Sequence, residues 1–176
     1  MKTLTVTTQA ELDAVLTDPD VTYGNTQIFI DSPAGVTLAV SDRRGLNVHA
    51  FGSSTVWASD SSTVTAYDSS TVHAYGSSTV WACDSSTVWA FNSSAVTAHG
   101  SSTVNAFDLS TVTAHDSSAV TAYDSSAVTA CDSSSVIACD SSSVHAYDSS
   151  AVTATDSVMV HRHSALATIT GGVVQD

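Results

Sequence analysis

The stretch Ala66–His73 reads AYDSSTVH, and Ala122–Thr129 reads AYDSSAVT. Both are copies of an eight-residue repeat, Ala-x-[Asp/Gly/Asn]-Ser-Ser-[Thr/Ala/Ser]-Val-x, which occurs fourteen times in tandem from Ala50 to His161. A short fixed period of this kind determines the architecture of the whole chain, because each copy forms the same structural unit and stacks on its neighbours.

The positions of the octad separate by parity. Odd positions hold Ala, Asp/Gly/Asn, Ser and Val almost without change, whereas even positions vary freely, except the fourth, which is nearly always Ser. Alternation with period two predicts a strand whose side chains point to opposite faces, with the small Val and Ala residues inward. The repeat therefore predicts an all-β, single-chain β-solenoid (β-helix) in which each octad supplies one strand and one corner.

The corner is the Asp-Ser-Ser segment of each octad. An Asp or Asn side chain accepts a hydrogen bond from the backbone two residues further on, and Gly relaxes the steric limits instead. This chemistry explains a position that takes only Asp, Asn or Gly.

Two coil sizes fit the repeat. Gly replaces the corner Asp at residues 52, 76 and 100, and Trp57 and Trp81 share the same interval of 24. We therefore expect a three-sided coil built from three octads. The alternative is a two-sided coil built from two octads, which small side chains fill more easily.

The two ends depart from the repeat, so we divide the chain into an N-terminal cap (residues 1–49), the solenoid (50–161) and a C-terminal cap (162–176). Thr8 and Glu11 stand at capping-box spacing before an apolar helical face containing Leu12, which predicts a capping helix. Residues 27–30 and 36–40 predict the first strands.

The charge is strongly one-sided. The formal net charge is -13, and no Lys or Arg occurs between Arg44 and Arg162. Such a surface favours cationic partners and disfavours direct contact with nucleic acid or an anionic membrane. With no signal-like or membrane-spanning segment, we expect a cytoplasmic or virion-associated protein.

The octad resembles known repeats. Ala-x-x-x-Ser-x-Val-Thr is similar to the Ala-x-x-x-Ser-x-Leu-Thr octapeptide of bacterial ice-nucleation proteins, a resemblance that covers the array and none of the caps. It implies a β-solenoid and water organisation. That function needs long rows of Thr-x-Thr, and within the array only Thr63-x-Thr65 and Thr111-x-Thr113 are intact. The chain also resembles uncharacterised octapeptide-repeat proteins of actinobacteria and their phages. Its shape and charge resemble the DNA-mimicking pentapeptide-repeat proteins.

Acidic corners form the first candidate site. Seven consecutive corners carry Asp, and a three-sided coil would place one carboxylate per roughly 1.6 Å of axis, close to the one charge per about 1.7 Å of duplex DNA. Turn formation and solubility explain the same residues without any further function. The acidic rows comprise Asp108, Asp116, Asp124, Asp132, Asp140, Asp148 and Asp156.

Outward aromatic side chains form the second candidate site. They either mark a contact surface or stack between strands to hold the register. The predicted aromatic face comprises Trp57, Trp81, Trp89, Phe51, Tyr67, Tyr75 and Phe91.

Other chemistry has little support in the sequence. His161-x-His163 lacks a third ligand nearby, so we expect no metal and no cofactor, and we expect Cys83, Cys131 and Cys139 to stay free thiols. No nucleophile elbow or phosphate loop interrupts the repeat, which predicts a non-enzyme.

Three functions follow as hypotheses. The first is a structural or protein-binding rod, a component of a phage or surface assembly that binds a protein or itself through the aromatic face or the C-terminal cap. The second is an acidic DNA mimic that inhibits a nucleic-acid-binding enzyme. The third is an ice-binding or water-organising protein.

Overall fold

The structure, a computed structural model, describes residues 2–22, 25–41, 46–155 and 157–176. It is an all-β parallel solenoid with one short helix near its N-terminal end. The elements are β1 (Lys2–Val6), α1 (Gln9–Thr17), β2 (Thr26–Ile30), β3 (Thr37–Ser41), β4 (Asn47–Ala50), β5 (Thr55–Ser59), β6 (Thr63–Ala66), β7 (Thr71–Ala74), β8 (Thr79–Ala82), β9 (Thr87–Ala90), β10 (Ala95–Ala98), β11 (Thr103–Ala106), β12 (Thr111–Ala114), β13 (Ala119–Ala122), β14 (Ala127–Ala130), β15 (Ser135–Ala138), β16 (Ser143–Ala146), β17 (Ala151–Ala154), β18 (Met159–Arg162), β19 (Thr168–Thr170) and β20 (Val173–Gln175).

The strands form two parallel sheets. An 11-stranded sheet runs β1-β2-β4-β6-β8-β10-β12-β14-β16-β18-β20, and a 9-stranded sheet runs β3-β5-β7-β9-β11-β13-β15-β17-β19. Consecutive strands of the array therefore alternate between the two sheets. Both sheets continue without a break through the array, so the three-part division of the chain stays a prediction about sequence regularity.

The coil has two sides, and the prediction of three sides is wrong. Val64 pairs with Val80, and Val80 pairs with Val96, so each coil contains two octads. The interval of 24 arises because Gly52 and Gly100 lie at one edge of the flattened coil and Gly76 at the other. Only Val, Ala and Ser line the interior of the array, and such small side chains from two facing sheets fill a flat interior to native density, whereas a triangular one would be left with voids.

The predicted core is confirmed. Val and Ala of the octads are almost completely buried, as at Val104 and Ala106, and so is the Ser at the fifth position. The Ser126 hydroxyl donates to the Tyr123 carbonyl oxygen at 2.8 Å, as does that of Ser118 to His115 at 2.7 Å, which helps to close the turn. Each coil thus buries two serine hydroxyls, one from each octad, beside its Val and Ala side chains.

The predicted helix is also confirmed. Thr8 caps α1 and forms a capping box with Glu11, and Leu12 is buried. Strand β1, which precedes the helix, is not among the predicted strands. It pairs with β2 and begins the 11-stranded sheet.

Gln9 shows how the helix covers the start of the 9-stranded sheet. Its side-chain amide Nε2 donates to the Ala39 carbonyl oxygen at 3.0 Å, and the Ala39 N–H donates to Gln9 Oε1 at 2.7 Å. One side chain therefore makes the two hydrogen bonds that a neighbouring strand would make with β3, and blunts an edge that could otherwise template pairing.

Candidate functional site

The corner residues of the octads from 52 to 148 adopt a left-handed conformation. The Asp and Asn corners have φ between 50° and 58°, and Gly52, Gly76 and Gly100 have φ between 63° and 68°. Asn, Asp and Gly are the residues that tolerate this region best. The backbone conformation, and not a hydrogen bond to the residue two positions on, therefore limits the corner to these three types.

The corner carboxylate joins one coil to the coil before it. Asp124 Oδ2 accepts a hydrogen bond from the Asp108 N–H at 3.3 Å, and Asp108 Oδ2 accepts one from the Asn92 N–H at 2.9 Å. The same bond recurs at Asp116 to Gly100 and at Asp132 to Asp116. The N–H groups on either side of Asp108 donate to backbone carbonyl oxygens of the preceding coil. The Asp108 N–H has no backbone acceptor among the described residues, and it donates to the Asp124 carboxylate instead.

The acidic corners divide between the two long edges of the flattened coil. The first edge carries the corner residues 52, 68, 84, 100, 116, 132 and 148, and the second edge carries 60, 76, 92, 108, 124 and 140. Of the predicted acidic rows, Asp116, Asp132 and Asp148 lie on the first edge, and Asp108, Asp124 and Asp140 lie on the second. Asp156 lies outside the described residues.

Two rows of carboxylates give a lower charge density than three. With strands about 4.8 Å apart, two fully acidic rows place one carboxylate per about 2.4 Å of axis, compared with about 1.7 Å for duplex DNA. Gly52, Gly76, Asn92 and Gly100 interrupt these rows further. The arrangement therefore loses the close match in charge density on which the comparison with DNA depended.

The predicted aromatic face is divided among four places. Trp57 and Trp89 project from the 9-stranded sheet, whereas Trp81 projects from the 11-stranded sheet on the opposite side. Phe51 and Tyr67 stack on each other at the first edge, with ring centroids 4.9 Å apart. Tyr75 and Phe91 stack at the second edge at 5.0 Å.

Phe51 and Tyr67 belong to a group of four rings with Phe29 and His49. A larger contiguous group of seven rings, which we name the aromatic strip, contains the remaining predicted residues except Trp81. Trp57, His73 and Trp89 occupy one outward row of the 9-stranded sheet, with centroids 6.2 Å apart at each step. Trp89 also stacks against Phe107 at 6.1 Å, and Phe107 belongs to the second-edge ladder with successive spacings of 5.0–5.1 Å. The aromatic strip comprises Trp57, His73, Trp89, Tyr75, Phe91, Phe107 and Tyr123.

Three members of this strip, His73, Phe107 and Tyr123, are not among the predicted aromatic residues. A spacing of two octads links Trp57 to His73 and Trp89, and the same spacing links Tyr75 to the other three rings of the second-edge ladder. That signal is present in the sequence, but it becomes visible only when the coil is known to contain two octads.

Two histidine–aspartate pairs cross between coils at the first edge. His99 Nδ1 lies 3.7 Å from Asp116 Oδ2, and His115 Nδ1 lies 3.4 Å from Asp132 Oδ2. The two rings stack on each other with centroids 4.9 Å apart. These pairs join side chains of different octads that only stacking brings together, so the sequence alone does not reveal them.

A histidine cluster lies at the C-terminal coils. His145 Nδ1 is 2.9 Å from His163 Nε2, a hydrogen-bond distance, and the His145 and His161 rings stack at 4.6 Å. Burial lowers the pKa of His145, and the neighbouring His161 and His163 lower it further. Tyr147 stacks on His163 at 4.4 Å and completes the cluster.

The three thiols are free, as predicted. Cys83 and Cys131 lie three coils apart on the first edge, and Cys139 lies on the second edge. Burial, followed by the charge of nearby Asp residues, raises the pKa of Cys83 and of Cys131. A raised pKa keeps these thiols protonated at neutral pH and makes them poor nucleophiles.

The outward threonines do not form a continuous lattice. Thr63-x-Thr65 lies on β6 and Thr111-x-Thr113 on β12, and β8 and β10 separate these strands in the 11-stranded sheet. Trp81 stands between the Thr65 and Thr97 positions of that sheet. The structure therefore lacks, among its described residues, the long paired rows that the ice-nucleation resemblance requires.

Neither a metal centre nor a known relative identifies the chain. Across the described ranges, no group of three or more His, Cys, Asp or Glu residues is arranged to hold a metal ion, and α1 is too short to cross a membrane. No family model, curated protein or solved structure matches the chain. The fold and its surfaces are therefore the basis for any functional conclusion.

Proposed function

We propose that the chain is a non-enzymatic, rigid rod that binds a protein partner through the aromatic strip, as a component of a phage or surface assembly. The observation that carries the proposal is the contiguity of the strip, in which rings from successive coils lie side by side. As part of this proposal, the protein is located in the cytoplasm or in a virion.

The composition of the strip supports partner binding. Trp57 is 51% exposed and Trp89 is 37% exposed, and Trp and Tyr are the residues that most often anchor protein interfaces. Stacking explains the parallel rings at the second edge and includes Trp89, which lies parallel to His73 and Phe107, but Trp57 meets His73 edge-on and is the more exposed of the two indoles. Thr occupies the same outward position on β12, β13 and β14, so the repeat does not require Trp there.

The local charge supports the same proposal. Gly76 and Asn92 are consecutive corners of the second edge, and they remove carboxylates beside Tyr75 and Phe91. Between Asp60 and Asp108 the corners of the second edge therefore carry no charge over three coil steps, about 14 Å. Depletion of charge around exposed aromatic residues is characteristic of the centre of a protein interface.

The experiment compares capture of lysate proteins by the immobilised wild-type chain and two variants. In the first variant, Trp57→Thr and Trp89→Thr remove the indoles of the strip. The matched control, Trp81→Thr, removes a similarly exposed indole from the opposite sheet. We expect a partner retained by the wild type and the control at high salt, and bound about tenfold more weakly or lost with the strip variant.

Two outcomes would contradict the proposal. Capture that is equal for all three proteins would show that the aromatic strip is not the binding surface. A partner that elutes steeply with salt and is displaced by duplex DNA would instead favour the acidic DNA mimic.

A further inference from the structure

Leu109 is the one residue in the array that breaks the rule of Ser at the fourth position of the octad. Leu109 is 66% exposed, the largest exposure of any bulky apolar residue within the array. The equivalent positions in the preceding and following coils of the same edge hold Ser93 and Ser125. Folding does not explain the leucine, since both of these neighbours form the same turn with serine.

Leu109 lies in a shallow depression on the second edge, which we name the Leu109 depression. Its volume is about 480 Å³, and it is lined by Asn92, Ser93, Asp108, Leu109, Asp124 and Ser125. Three successive corners of one edge thus contribute an amide, two carboxylates and two serine side chains around a central apolar side chain. The depression is open, so it suits a side chain or segment of another molecule better than an enclosed small ligand.

The two carboxylates of the depression are held in fixed positions. Asp108 and Asp124 each accept a hydrogen bond through Oδ2 from a corner N–H of the preceding coil. Such anchoring reduces the entropy lost when a ligand binds to the rest of the carboxylate. Both groups are therefore prepared to receive a donor from outside the molecule.

No cation of the described chain neutralises these carboxylates. On the first edge, Asp116 and Asp132 lie beside His99 and His115, but the second edge places the rings of Phe91, Phe107 and Tyr123 at the corresponding positions. The sequence supplies no Lys or Arg between Arg44 and Arg162. The charge at the depression is therefore complementary to a basic group on another molecule.

The depression is continuous with the aromatic strip. Phe107 and Tyr123 belong to the strip, and each immediately precedes in sequence one of the two carboxylates of the depression, Asp108 and Asp124. A partner lying on the strip at this point would meet the carboxylates next, and then Leu109.

We propose that the Leu109 depression binds a basic segment of the partner protein. An arginine or lysine side chain of the segment lies between Asp108 and Asp124, and an apolar neighbour packs on Leu109. This inference rests on the proposed function, because it names the chemistry of the partner that the aromatic strip binds. An arginine fits best, since its guanidinium can donate to both carboxylates at once.

The test uses a fluorescent short peptide of alternating arginine and leucine, with binding to the full chain measured by fluorescence anisotropy. Leu109→Ser restores the residue that the other octads hold, and the double variant Asp108→Asn, Asp124→Asn keeps a corner residue that Asn92 already shows to be compatible with the turn. The matched control is Asp116→Asn with Asp132→Asn on the first edge, which removes the same charge. A peptide of alternating arginine and serine tests the contribution of the apolar contact.

We expect the control to bind the arginine–leucine peptide as the wild type does. Leu109→Ser and the second-edge double variant should each bind it about five- to tenfold more weakly, and the arginine–serine peptide should be insensitive to Leu109→Ser. Equal losses in the two double variants would mean that the peptide responds only to net charge, and would overturn the inference.

Failure of this inference can be told apart from failure of the proposed function. If the wild type does not bind the peptide, or if both second-edge variants bind it normally, the depression does not take a basic segment. Partner capture that still depends on Trp57 and Trp89 would then leave the proposed function standing. Loss of that dependence would remove the proposed function whatever the peptide does.

Discussion

At the scale of single residues, the corner determines which side chains the repeat accepts. The left-handed backbone excludes most residues, and the N–H of the preceding corner selects Asp or Asn over Gly, because only these reach back to accept its hydrogen bond. Asp thus has two structural roles in addition to its charge. The negative surface of the molecule is in large part a consequence of how its turns are built.

Substitutions at Asp124 separate these roles. Asp124→Asn retains the left-handed conformation and the acceptor, so its melting temperature should stay close to that of the wild type. Asp124→Gly retains the conformation but loses the hydrogen bond, at a cost of about 1 kcal/mol in the free energy of unfolding. Asp124→Ala loses the hydrogen bond as well and must hold a left-handed backbone that alanine disfavours, which costs about 1–2 kcal/mol more. Thermal unfolding followed by circular dichroism should give the order Asn, Gly, Ala. A melting temperature for Ala equal to that for Asn would show that neither role matters.

At the scale of the secondary-structure elements, α1 covers β3, the edge strand of the 9-stranded sheet. Gln9→Ala removes both hydrogen bonds to Ala39 and should leave the edge of β3 open. We expect faster hydrogen exchange at the Ala39 amide, by about five- to tenfold, and little change in the central coils, because stability in repeat proteins is local. Gln27→Ala, on the outward side of β2, is the matched control. Unchanged exchange at Ala39 would mean that the Gln9 amide does not protect the edge.

The sequence was sufficient to predict most elements but not their stacking. Alternation within the octad predicted the strands and the burial of residues such as Val104 and Ala106, and the Thr8–Glu11 spacing predicted the helix. Strand β1 was missed because five residues before a helix carry too short a pattern to distinguish from a loop. In the sequence, Leu109 is only an irregularity of the repeat. Its proposed role in binding depends on Asp108 and Asp124, which stacking brings beside it.

At the scale of the whole molecule, the number of octads per coil controls which side chains meet. Every octad is compatible with both coil sizes, so the local pattern does not decide between them, and the positions of Gly and Trp mimicked a period of three octads. The coil size depends on how well the side chains fill the interior. That is a property of a whole coil, and it cannot be deduced from a single octad. With two octads per coil, the middle parts of the two edges become chemically different. The first edge carries the His99–Asp116 and His115–Asp132 pairs there, and the second carries the stacked rings from Tyr75 to Tyr123 beside the carboxylates of Asp108 and Asp124.

The stacking of histidines also predicts how the stability of the rod depends on pH. Burial lowers the pKa of His49 and His73, and burial together with His161 and His163 lowers that of His145. A lowered folded-state pKa means that the unfolded chain binds protons more readily. The stability from these groups is therefore complete above the unfolded pKa of about 6.5 and is lost as the pH falls below it.

A substitution in the C-terminal histidine cluster measures this effect, because it leaves all the corner carboxylates in place. His145→Thr removes the hydrogen bond to His163 and the stack on His161, and Thr occupies the same outward position on β14. When the pH is lowered from about 7.5 to 5, the contribution of His145 should make the melting temperature of the wild type fall by about 1–3 °C more than that of His145→Thr. The difference is small because the imidazole is partly exposed. Thr129→Ala, on the neighbouring strand, leaves every histidine in place and should follow the wild type. If His145→Thr shows the same pH dependence as the wild type, protonation of the cluster does not destabilise the last coils, and the pH response of the rod arises elsewhere along its length.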